Sequence, residues 1–123
     1  MEIERRRFTI LEHHWNGIHW DFLVEDGPTL RTWAIDERPV EGRELAAKSL
    51  PAHRRIYLDY EGEISDGRGT VTRWDSGFCE VLEWVEDRVR LEVHGNQVEG
   101  MVEFGCLLVD EVRRWVFRWG KLS

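Results

Sequence analysis

Apolar positions recur at every second residue along much of this chain. In RRRFTILEH, Phe8 and Ile10 alternate with Thr9 and Leu11. In IHWDFLVE, Ile18, Trp20, Phe22 and Val24 share one face, while His19, Asp21 and Leu23 share the other. A period of two belongs to half-buried strands. Runs of the same kind follow at 30–35 (LRTWAI), 54–60 (RRIYLDY), 69–74 (GTVTRW), 79–85 (CEVLEWV), 88–94 (RVRLEVH), 98–104 (VEGMVEF) and 113–119 (RRWVFRW). Turn signals at Asn16-Gly17, Asp26-Gly27-Pro28, Asp66-Gly67, Ser76-Gly77, Glu86-Asp87 and Gly95-Asn96 punctuate them. Only GRELAAKSL, 42–50, has a helical composition, which predicts one short helix. Short strands spaced by roughly 8–12 residues predict an all-β fold. Closing the sheet into a compact antiparallel β-barrel would remove its exposed edges.

Length adds that residues 1–123 form a single domain with no linker or internal repeat. No apolar run approaches the ~20 residues that span a bilayer, and MEIERRRFTI lacks the apolar centre of a signal peptide. The expectation is a cytoplasmic protein without membrane contact. Cys79 and Cys106, with no CxxC spacing, read as reduced small hydrophobes. A formal charge of −7 counts against a general polyanion binder, although arginines cluster at 5–7, at 54–55 and around 113–118.

Candidate chemistry concentrates in HHWNGIHWDF. The chain has five histidines, and three of them, His13, His14 and His19, fall within seven residues beside Asp21. His19 and Asp21 are two apart on an expected strand, so both project from one face, with Trp20 and Phe22 directed to the core. Imidazole and carboxylate together suit a borderline or hard divalent ion such as Mn²⁺ or Zn²⁺. A third ligand would come from the strand before Asn16-Gly17. A two-residue loop would set His14 opposite His19, whereas a longer loop would bring His13 there.

Four segments in register resemble the 3′-phosphoesterase domain of bacterial DNA ligase D: HHWNGIHWDFLVE, LRTWAI, HRRIYLDYEGEI and GTVTRWDSG. The resemblance implies a β-barrel that binds a divalent metal, most often Mn²⁺ with Zn²⁺ or Co²⁺ also suited, and trims nucleic-acid 3′ ends in DNA repair. The implied hydrolase removes a terminal ribonucleoside and then the 3′ phosphate. It implies His13, His19 and Asp21 as metal ligands, choosing the longer loop, and His53 and Tyr57 as catalytic residues at the phosphate. It also implies a DNA ligase or polymerase as partner. On a flat strand, Tyr57 would share the face of His53. Trp15, in the turn, is the candidate for stacking on a base.

Two positions depart from the family pattern. Leu23 stands where an arginine grips the phosphate, and Leu11 where glutamine is common. Arg54, Arg55 and Arg73 are the candidates to replace that guanidinium. Leu23 keeps two other readings open: a phosphoesterase for a small phosphorylated substrate, or a metal-binding barrel that only binds nucleic-acid ends or a repair partner.

Overall fold

Alternation along the strands places one set of side chains inside a closed barrel. The computed structural model describes residues 3–121, so the outermost two positions at each end of the expected 1–123 domain lie outside the described residues. Nine strands are formed: β1 (Arg5–His14), β2 (Ile18–Asp26), β3 (Thr29–Ile35), β4 (Glu44–Arg54), β5 (Gly62–Glu63), β6 (Thr70–Val85), β7 (Arg88–Gly95), β8 (Glu99–Val109) and β9 (Val112–Gly120). All pairings are antiparallel. The order β1-β2-β3-β4-β9-β8-β7-β6 closes through a β1–β6 ladder, giving the expected all-β barrel of eight strands, with the two-residue β5 attached to β6.

The interior is rich in aromatic side chains. Phe8, Phe22, Trp33, Phe104 and Phe117 are buried, and Trp33 stacks on Phe104 with ring centroids 4.0 Å apart. Burial of such a side chain contributes roughly 1.5–3 kcal/mol, so this core holds the barrel closed.

Around β1, β2 and β3 the outer face is buried as well. The chain from Arg55 to Gly69 wraps across it through two short 3-10 turns, Arg55–Leu58 and Ser65–Gly67. Leu58 from this wrap joins Leu11, Leu23, Leu30 and Val71 in a second apolar cluster, and Thr9 donates its hydroxyl to the Leu58 carbonyl at 2.8 Å. Both departures from the family pattern, Leu11 and Leu23, lie in this cluster.

Three expectations are corrected. Residues 42–50 form no helix: strand β4 runs through 44–54, and Leu45 and Ala47 are buried while Glu44, Ala46 and Lys48 are exposed. Pairing with β3 and β9 outweighs the local helix preference. Residues 54–60 are not a strand, because the chain turns at Arg55–Leu58 to cover the second cluster. Ser76-Gly77 is not a turn, since β6 continues through it from Thr70 to Val85.

The WDSG segment has a structural task instead. Buried Asp75 accepts the backbone N–H groups of Ser76 (2.9 Å), Asn96 (2.7 Å) and Val98 (2.8 Å), which fixes the β7–β8 turn. A Cβ on Gly77 would lie 2.1 Å from the His94 carbonyl oxygen, so only glycine lets β6 and β7 approach there.

Candidate metal centre

The first hairpin is closed by three residues, Trp15-Asn16-Gly17, of which Asn16 (φ 53°) and Gly17 (φ 105°) have left-handed backbones. This longer loop sets His13 opposite His19 and His14 opposite Ile18. His14 points elsewhere and meets Glu12 at 2.6 Å.

On the outer face, three side chains converge. His13 Nδ1 lies 3.0 Å from His19 Nε2 and 3.3 Å from Asp21 Oδ2, and His19 Nε2 lies 3.0 Å from Asp21 Oδ1. Side-chain exposure rises from 4% at Asp21 through 12% at His13 to 25% at His19, so the carboxylate is the floor and His19 the rim.

The second nitrogen of His13 fixes what the first presents. Nε2 donates to the Arg68 carbonyl at 2.8 Å, which leaves the lone pair on Nδ1 in the neutral ring. Gly69 (φ +83°) makes this contact attainable: a Cβ there would sit 1.9 Å from the His14 carbonyl oxygen. Asp21 Oδ1 is buried without a hydrogen-bond donor, because the His19 nitrogen, though near, is not aligned to make one. Lone pairs this close repel unless a proton on one of the nitrogens, or a cation between them, relieves the contact. Ligands about 2.1 Å from a common ion stand roughly 3.0–3.4 Å apart when their bonds meet at 90° to 109°, and the donor separations fit that range. The set can therefore hold a divalent metal.

Titration behaviour agrees with the geometry. The contact with the Asp21 carboxylate raises the His13 pKa above its ordinary value, against the opposing effect of burial. Burial alone would raise the Asp21 pKa, but His13 and His19 outweigh it and hold the carboxyl below its ordinary range. A proton would thus compete with a metal ion for His13.

The three donors open into a cleft of about 650 Å³ whose walls include His53, Tyr57 and Trp15. All five expected site residues therefore line one space. Tyr57 reaches it from the Arg55–Leu58 turn rather than from a flat strand; its ring meets His53 edge-on with centroids 5.9 Å apart. His53 donates Nδ1–H to the Pro51 carbonyl at 2.9 Å, leaving Nε2 to take or give a proton. Trp15 is 42% exposed and stacks on His13 at 6.0 Å.

Of the three replacement arginines, only Arg54 lines the cleft. Arg55 is held by Glu25 and the Gly27 carbonyl, and Arg73 is off the cleft wall. Lys48 and Arg68 also line it and were not anticipated. Nothing in the sequence marks Lys48, whose segment reads as a helix, while the glycines flanking Arg68 were the available signal. His94 joins Glu80 and Glu92 in a second group whose donor atoms lie within 4.8 Å of one another. There Glu80 raises the Glu92 pKa by sharing a hydrogen bond. Cys79 and Cys106 are both free thiols, as expected.

No helix among the described residues is long and apolar enough to cross a membrane. The chain is 28% identical over 102 residues to the multifunctional non-homologous end joining DNA repair protein LigD of Mycobacterium tuberculosis, an alignment covering 76% of this chain and 13% of that protein. It is 32% identical over 76 residues to the multifunctional non-homologous end joining protein LigD of Pseudomonas aeruginosa, covering 58% of this chain and 9% of that protein. The chain thus spans a small fraction of the length of these relatives. The model of the DNA ligase D 3′-phosphoesterase domain matches residues 11–104, most of the chain and every residue of the cleft described above, and the chain belongs to that family.

Proposed function

We propose that this chain is a divalent-metal-dependent phosphoesterase that trims nucleic-acid 3′ ends in DNA repair, removing a 3′ phosphate or terminal ribonucleoside in the cytoplasm. The observation carrying this reading is the convergence of His13, His19 and Asp21 at 3.0–3.3 Å in a cleft shared with His53 and Tyr57. Two neutral imidazoles and one carboxylate leave a divalent ion with net positive charge, and Mn²⁺ is the ion we assign, with Zn²⁺ and Co²⁺ also compatible with the donors. When bound, such an ion polarises a phosphoryl oxygen and lowers the pKa of a water.

The protein's own groups complete the site. His13 and His19 bind as neutral rings, and the Arg68 carbonyl keeps His13 in the required tautomer. His53, with Nδ1–H tied to Pro51, offers Nε2 to the phosphate as an imidazolium or returns a proton to the leaving oxygen. The Tyr57 hydroxyl, in the same cleft, positions the substrate. A DNA ligase or polymerase is the partner that would receive the trimmed end.

Leu23 supports a second reading, a barrel that holds metal and nucleic-acid ends without turnover, because this position is fully buried and offers nothing to a phosphate. An assay of 3′-phosphorylated oligonucleotide with Mn²⁺ separates the two. Wild type should release phosphate, and His19→Ala and Asp21→Ala should each lose at least ~100-fold in kcat/KM. Absence of wild-type turnover, or undiminished turnover in both variants, would sink the enzymatic reading.

A further inference from the structure

Strand register lines up a row of residues across the outside of the barrel. Asp21 of β2 is opposite Ala34 of β3, and Ala34 is opposite Lys48 of β4. Beyond Lys48 the barrel wall splits. Strand β4 pairs with β9 only from Glu44↔Arg118 to Ala47↔Trp115, so the next positions, Lys48 and Arg114, face each other where the ladder has ended. The split forms a second cleft of about 700 Å³, and Asp36, Lys48 and Leu50 line both it and the cleft of the metal centre. Lys48 thus stands at the boundary between the two spaces.

Charge sets these walls apart from the rest of the molecule. Most arginines elsewhere are neutralised by carboxylates, such as Arg5 by Glu80, Arg7 by Asp59, Arg88 by Glu83 and Arg118 by Glu44. Lys48, Arg54, Arg68 and Arg114 line the joined clefts, and none has an ion-pair partner among the described residues. Apart from Asp21, the carboxylates on these walls are Asp36 and, at the far end, Glu44, which Arg118 already engages. In a chain of net charge −7, free cations gathered on one route point to a polyanion lying along it.

We propose that the joined clefts form a track for a single nucleic-acid strand, with Lys48 at the junction and Arg114 at the far end, so that the site reads several nucleotides back from the terminus. Two paired-strand spacings of about 4.8 Å put Lys48 roughly 10 Å from Asp21, and Arg114 lies farther still across the split, a span of more than one nucleotide. This deepens the phosphoesterase reading, on which it rests for the placement of the 3′ end. It sets a polynucleotide against a small phosphorylated substrate.

The test compares a 3′-phosphorylated dinucleotide with a 3′-phosphorylated 12-mer in Mn²⁺. The wild-type KM should be at least ~10-fold lower for the 12-mer. Arg114→Gln and Lys48→Gln should each shrink that ratio about threefold or more and lower the salt slope for 12-mer binding by about 0.7 per lost phosphate contact. Arg88→Gln on β7 should leave the ratio unchanged. Equal KM values for the two lengths in wild type, or an unchanged ratio in Arg114→Gln, would overturn the track. If no substrate is turned over, fluorescence anisotropy of a labelled 12-mer decides separately. Length-dependent binding weakened by Arg114→Gln would keep the track while removing the phosphoesterase reading, and binding insensitive to length or to Arg114 would remove the track.

Discussion

Two aspartates of this barrel, Asp21 and Asp75, are equally hidden from solvent, each 3% exposed, yet their surroundings treat them in opposite ways. Asp75 is satisfied by three backbone N–H groups at 2.7–2.9 Å and has no reason to leave them. Asp21 faces two imidazole nitrogens, and one of its oxygens has no donor at all. A buried carboxylate needs strong compensation. Asp75 receives it from backbone N–H groups, whereas Asp21 has only the two imidazoles beside it. Equal burial therefore separates a structural carboxylate from a ligand only when hydrogen bonding is counted with it.

Breaking each aspartate in turn should expose the difference. Asp21→Asn should weaken Mn²⁺ binding, measured by calorimetry, by more than ~100-fold, exceeding the usual cost of losing a supporting residue behind a ligand. The unfolding free energy of the metal-free protein should change by less than about 1 kcal/mol, because the amide can donate to the ring nitrogens that now face a carboxylate. Asp75→Ala should do the reverse. Leaving three N–H groups without their acceptor should cost about 3 kcal/mol in denaturant unfolding, with metal affinity in the folded fraction unchanged. Comparable stability losses in the two variants would erase the distinction. The smallest expected effect is that of Gly69→Ala, which displaces the Arg68 carbonyl from His13 Nε2. Freed of its tautomer control, His13 should bind Mn²⁺ about 10-fold more weakly, and an unchanged affinity would show that this carbonyl does not orient the ligand.

The side of the site carried by β1 and β2 was legible because one hairpin writes it. His13, His19 and Asp21 lie within nine residues, and alternation fixes their face once the loop length is known. Loop length itself was not legible in the alternation, where Asn-Gly signals a two-residue turn; only the family resemblance chose the longer loop that the hairpin forms. The opposite wall depends on contacts distant in sequence. RRIYLDY has the composition of a strand but turns, because Leu58 is needed over Leu11 and Leu23. GRELAAKSL favours a helix locally, yet β3 and β9 recruit Leu45 and Ala47 into the barrel and thereby carry Lys48 to the cleft. Asp75 was visible only as part of WDSG, and its hydrogen bonds to Asn96 and Val98 span more than twenty positions.

The apolar cluster beneath the Arg55–Gly69 wrap constrains how this barrel can have diverged. A guanidinium restored at Leu23 alone would be stripped of water among Leu11, Leu30, Leu58 and Val71, a burden of several kcal/mol without a partner charge. A polar side chain restored at Leu11 alone would lose its packing against the same neighbours while gaining no phosphate. A charged side chain at position 23 is therefore compatible with this wall only when position 11 and the covering segment change with it.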